Sequence, residues 1–183
     1  MVRSLILVGS AGLVVEIECH LANNLPNIVI VGFANKAVTE ARERRRGAFA
    51  SPKLELLRNR IVIKIASAEI PKADSDFVLA TAVSIMVAAG QLMPDVLTKA
   101  AVIGELSLDS HTRPVRGIIG KLLAGHAQNI KTFCIPRANL LQARWVPDLT
   151  LVPVDSLWQL YGHLTSQNNI PAIHTDSNEP FKK

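Results

Sequence analysis

Two periodicities divide the chain. Val15, Ile17 and Cys19 alternate with Glu16, Glu18 and His20, the period-two signature of a strand with one wet face. An apolar run over 4–8 precedes them, and Gly9-Ser10-Ala11-Gly12 supplies turn residues between. Strands over 4–8 and 13–19 joined as a hairpin are therefore expected. After the turn at 23–27, Ile28-Val29-Ile30-Val31 reads as a short β-branched strand. Asn35 can cap a helix over 36–50 that Pro52 ends. On it Val38, Ala41 and Ala48-Phe49 mark the inner face, and Arg45 falls where an apolar residue belongs. Arg60-Ile61-Val62-Ile63-Lys64-Ile65-Ala66 predicts the clearest strand, and residues 77–89 a helix apolar on nearly every side.

The stretch 104–125 organises the second half of the chain. Ala101-Val102-Ile103 leads in as a buried strand, and Leu106 and Leu108 alternate with Ser107 and Asp109 as an edge strand. Asp109-Ser110-His111-Thr112 has turn chemistry, and Pro114 stops strand pairing. From Gly117 a helix begins, with Ile118, Lys121, Leu122 and Gly125 in one row. One lysine thus rises from an apolar stripe, a costly place for a charge without a partner. Further strands are expected over 132–135 and 149–154, with helices over 139–145 and 156–163, the last capped by Asp155. From Thr165 the chain turns polar and aperiodic, which predicts a flexible linker over 165–183 after one domain over 1–164. Strands and helices intermix, so the class is α/β (α+β).

Composition narrows this little. At 183 residues and 49% apolar, one domain with an aliphatic core is expected, since aromatics make up only 4%. A net charge of +5 permits an acidic partner without naming one. Cys19 and Cys134 form no CxxC and suit small buried positions in a reducing compartment. The run 77–93 contains Thr81, Ser84 and Gln91 and is too short for confident spanning, so a soluble cytoplasmic protein without membrane contact is expected.

Several stretches carry a resemblance in a fixed order. They are Asn24-Leu25-Pro26 with Ile30-Val31-Gly32-Phe33, and Ala37-Val38-Thr39-Glu40-Ala41-Arg42-Glu43-Arg44. Ile70-Pro71-Lys72, Gly104-Glu105-Leu106-Ser107-Leu108-Asp109 and Arg113-Pro114-Val115-Arg116-Gly117 come after them. Together they resemble the Lon-protease-like domain that begins ComM/YifB proteins, the magnesium-chelatase-like AAA+ ATPases, over residues 1–164. The resemblance implies the ribosomal-protein-S-five second-domain-like fold of Lon proteolytic domains. It also implies a hexameric, cytoplasmic ATPase active in DNA branch migration during natural transformation. ATP and Mg²⁺ would then be used only by an AAA+ module absent from this chain.

The resemblance also aligns Lys121 with the catalytic lysine of Lon. A neutral lysine can take a serine's proton, so Ser75 and Lys121 form a candidate dyad for a Ser–Lys peptidase. Anchoring on Pro71-Lys72, however, puts Asp76 at the nucleophile position and Ser75 one residue early, a rotation of about 100°. Asp74 and Asp76 would also favour a charged Lys121. The dyad is therefore expected to be vestigial. Gly117-Ile118-Ile119-Gly120-Lys121 is too short for a phosphate loop and lacks the following Ser or Thr, so this chain alone should not hydrolyse ATP. The five histidines are scattered, and no metal site is expected. Residues 36–64 hold nine Lys or Arg against three acids. Arg42, Arg44, Arg45 and Arg46, with Arg113 and Arg116, are candidates for contact with nucleic acid or a neighbouring subunit. A stand-alone nucleic-acid-binding domain is a further alternative.

Overall fold

In the computed structural model, which describes residues 1–23, 25, 27–31, 60–66 and 76–176, the expected hairpin lies inside the sheet and not at its edge. Strand β1 (Val2–Val8) pairs antiparallel with β2 (Ala11–Ala22), Val8 opposite Ala11 across Gly9-Ser10. The second strand is longer than the alternation suggested because it pairs on both sides. Its other neighbour is β4 (Arg60–Ala66), antiparallel, with β3 (Asn27–Val31) parallel beyond that. On the far side of β1 come β5 (Ala100–Val102), β8 (Thr132–Pro136) and β9 (Leu149–Val154), all parallel. With β10 (Ile173–Thr175) at one edge, the order is β10-β9-β8-β5-β1-β2-β4-β3, a mixed eight-stranded sheet.

Helices cover both faces, and strand alternation assigns them. Val2, Ile6, Val15, Ile17, Val102 and Cys134 share one apolar cluster with helix α1 (Val78–Ala88). Helix α4 (Leu157–Leu164) belongs to it through Leu157 and Leu160. Leu5, Ala101, Ile103, Phe133, Ile135 and Leu151 point the other way, toward α2 (Ile118–Ala127) and α3 (Leu140–Ala143). As expected, α1 is buried along almost its whole length, from Val78 through Met86. Its hydroxyls find acceptors, Thr81 Oγ1 donating to the Phe77 carbonyl and Ser84 Oγ to that of Ile17. No helix among the described residues is long and apolar enough to cross a membrane.

Three expectations are corrected. The edge strand at 106–108 shortens to β6 (Glu105–Leu106), paired with β7 (Thr112–Arg113) in a separate ribbon. Leu106 is buried, whereas Leu108 is exposed in the turn. The cap of α4 is Ser156, whose Oγ accepts from Gln159 N–H, because the Asp155 carboxylate is held by Arg137 Nε at 2.8–2.9 Å. Finally, the expected linker packs as far as Thr175. Ile170 enters the core, and β10 (Ile173–Thr175) pairs antiparallel with β9. Thr175 Oγ1, buried, accepts from Leu149 N–H at 2.9 Å. Too short to show periodicity, β10 is held by edge pairing that polarity alone does not report. The helix expected over 36–50 lies outside the described residues.

Candidate functional site

The site forms where β5 leaves the sheet at Gly104. Gly104 N–H donates to the Asp76 carbonyl at 2.7 Å, and Leu79 N–H donates to the Gly104 carbonyl at 2.9 Å. The start of α1 is thereby tied to the end of β5. From the opposite face of the sheet comes α2, whose first turn is shaped by Gly117 in the left-handed region at φ 61°. The left-handed φ favours glycine, and a Cβ there would lie 2.3 Å from Leu7 Cδ1, so a larger residue would also have to push the Leu7 side chain aside. One turn on, Lys121 runs inward.

Lys121 is 0% exposed, and its ammonium meets the Asp76 carboxylate, itself 16% exposed. Burying an ammonium is tolerable because a counter-charge and hydrogen bonding replace water. The pair joins elements on opposite faces of the sheet, α2 to the start of α1. An ammonium held against a carboxylate has no lone pair with which to deprotonate an alcohol. Of the two acids expected to hold Lys121 charged, Asp76 is the one set beside it, and Asp74 lies outside the described residues. Ser75, the other half of the candidate dyad, lies outside the described residues.

This arrangement also decides the glycine–lysine run. In a phosphate loop the lysine reaches toward the nucleotide, whereas here Lys121 is turned into the protein and Gly117-Ile118-Ile119-Gly120 opens a packed helix. Among the described residues no three His, Cys, Asp or Glu side chains gather closely enough to hold a metal ion.

A second polar cluster sits in the β6–β7 turn. The Ser107 hydroxyl meets the Asp109 carboxylate, and His111 Nδ1 stands 3.2 Å from Asp109 Oδ2. The Ser107 hydroxyl and the His111 backbone N–H hold the Asp109 carboxyl below the usual carboxylate range. The residue types suggest a nucleophile set, but the carboxylate stands between serine and histidine. The cluster therefore works as a turn clasp. The ribbon is fastened to the end of β9 by Thr112 Oγ1 donating to the Val154 carbonyl, and to α4 by Leu157 N–H donating to the carbonyl of Ser110.

Of the arginines singled out, Arg113 and Arg116 are exposed on either side of Pro114, Arg113 opposite Glu105 in the ribbon. Arg42, Arg44, Arg45 and Arg46 lie outside the described residues. No local pattern marks Asn139, expected only as the start of a helix. Its buried amide accepts from Val115 N–H and donates to Val115 C=O, each at 2.9 Å, pinning the arginine loop to α3. A partner 24 residues away leaves no local signal.

Comparison with known proteins fits this geometry. A family model described as subunit ChlI of Mg-chelatase matches residues 17–139. The competence protein ComM of Haemophilus influenzae is 31% identical over 157 residues, 86% of this chain and 31% of its own length. A protein named YifB in Salmonella typhimurium is 35% identical over 105 residues, 57% of this chain and 21% of that protein. A Lon protease of Chloroflexus aurantiacus is 31% identical over 131 residues, 68% of this chain and 15% of the protease. The chain spans about a third of the length of ComM and of other curated relatives that it matches over most of its own. The family match runs from β2 through α1, the Gly104 corner and the Lys121 helix to Asn139, and the chain belongs to the magnesium-chelatase-like family of the ComM/YifB type.

Proposed function

We propose that this chain is a non-catalytic module of a ComM/YifB-type protein, serving ring assembly or the guiding of DNA during branch migration in natural transformation. On this reading the fold is the ribosomal-protein-S-five second-domain-like fold of Lon proteolytic domains. ATP and Mg²⁺ serve an AAA+ module, the assembly is a cytoplasmic hexamer, and Arg113 and Arg116 contact DNA or a neighbouring subunit. The observation that carries the non-catalytic part is the Lys121 ammonium, buried against Asp76. A lysine so placed holds the scaffold together and does no proton transfer.

The test uses the purified chain. Sedimentation and binding to a branched DNA junction at rising salt should reveal self-association, or DNA affinity that falls with salt. Absence of both removes the assembly and DNA-guiding role. Because Lon is among the relatives, casein is incubated with the wild type and with Lys121→Ala. Equal, negligible cleavage is expected, and cleavage by the wild type that Lys121→Ala abolishes would establish a peptidase instead.

A further inference from the structure

Helix α2 is apolar on more than its buried side. Ile118, Lys121, Leu122 and Gly125 face the sheet. Gly120 and Ala124 take the flank against the hairpin, where a Cβ on Gly12 would come within 2.6 Å of the Gly120 carbonyl and 2.7 Å of Ala124 Cβ. At about 100° per residue, Ile119 and Leu123 fall on the opposite flank. That flank turns toward α3, which packs against both α2 and β9, on the β5 side of the hairpin. Ile119 is 40% exposed and Leu123 51%, while on α3 Leu141 is 78% and the adjoining Trp145 61% exposed. Four large apolar side chains thus stand in water along two neighbouring helices.

In sequence their charged neighbours are mainly basic, exposed Asp148 just beyond Trp145 being the exception. From Ser110 to Pro147 the chain contains no Asp or Glu, but it contains Arg113, Arg116, Lys121, Lys131, Arg137 and Arg144. Lys121 and Arg137 are met by Asp76 and Asp155, and Arg113 stands opposite Glu105. Arg116, at the head of α2, and Arg144, between Leu141 and Trp145, are exposed beside the apolar stripe.

We propose that this α2–α3 face docks an acidic amphipathic helix of a partner protein. Its apolar side chains, spaced i, i+3 or i+4, and i+7, lie along Ile119, Leu123, Leu141 and Trp145, and its carboxylates meet Arg116 and Arg144. A second copy of this chain fits poorly, because a two-fold contact would set the same arginines against each other. Nucleic acid fits poorly as well, since the centre of the face is aliphatic and offers phosphate nothing. The inference goes beyond ring assembly and takes Arg116 from the DNA or subunit contact of that reading; Leu123→Ser and Arg144→Glu, which leave Arg116 in place, tell the two apart.

The full chain carrying Trp158→Phe leaves Trp145 as the reporter. Trp158 is half-buried and packs edge-on against Tyr161, so the change is mild. The probe is a synthetic helix of about 18 residues with leucines in one stripe and glutamates elsewhere. Binding should shift Trp145 emission to the blue and weaken with salt. It should also weaken by about tenfold on either Leu123→Ser or Arg144→Glu, exposed sites whose variants keep the wild-type circular dichroism. Three results would overturn the proposal: equal binding of a peptide with the same composition but a scrambled stripe, displacement of the peptide by duplex DNA, or self-association of the chain that Leu123→Ser dissolves.

Discussion

The Asn139 amide and the Val115 backbone form a mirrored pair, each giving the other one donor and one acceptor at 2.9 Å. The pair closes the Arg113–Gly117 loop against α3, in effect continuing a strand ladder with a side chain. Since both partners are buried, neither can turn to water if the other is lost.

Asn139→Ala should therefore cost about 2–4 kcal/mol, the penalty for two stranded backbone groups. Asn139→Asp keeps the acceptor but not the donor, and should fall between that variant and the wild type only at acid pH, where the carboxyl is protonated. Urea unfolding of the three proteins measures both effects.

Breaking the Asp76–Lys121 pair should be harsher than removing it whole. Lys121→Met leaves a partly wet carboxylate, and a loss near the lower end of about 3–5 kcal/mol is expected. Adding Asp76→Leu should recover part of that loss, the non-additivity of a direct contact. If the double variant simply sums the single ones, the two side chains are not coupled.

Much of the sheet could be anticipated because its strands obey period two and its turns carry Gly, Asn and Pro. Lys121 stood out for the same reason, a charge in an apolar row. What escaped was set at a distance. β10 exists through its pairing with β9, Asp155 lost its cap role to an arginine from another element, and Asn139 serves a loop rather than its own helix. Local pattern reports which face is apolar, whereas polar partners are chosen by the fold.

Gly12→Ala should destabilise by about 1–3 kcal/mol, although the residue lies in a strand where alanine normally gains over glycine. The added methyl would meet the Gly120 carbonyl and Ala124 Cβ. Thermal unfolding of Gly12→Ala beside Gly12→Val should show a graded loss as the helix is pushed off the hairpin.

His163 should make stability fall in mild acid. Its Nδ1 accepts from Ile170 N–H, and burial lowers its pKa from the ordinary 6.5. The unfolded chain then binds the proton more readily, so this contribution is present above 6.5 and is lost as pH falls through the folded value. Replacing His163 with Asn should flatten that part of a stability–pH profile, read by denaturant titration at each pH.

Cys134 should be silent to alkylation in the native state. Burial pushes its thiol up to about 12, leaving almost no thiolate at neutral pH. Iodoacetamide labelling followed by mass spectrometry should find Cys134 modified only after denaturation, with Cys19, half-buried, reacting first.

Strand β1 stands between a neighbour close in sequence and one from the middle of the chain. Arg3 pairs with Glu16, close in sequence, and with Ala101, nearly a hundred residues later. A nascent hairpin can form at once, yet one of its long edges stays open until β5 has been synthesised. Contacts of such separation slow folding, and the waiting edge is a template for mispairing. Deleting the first eight residues would not trim a border but cut the sheet in two.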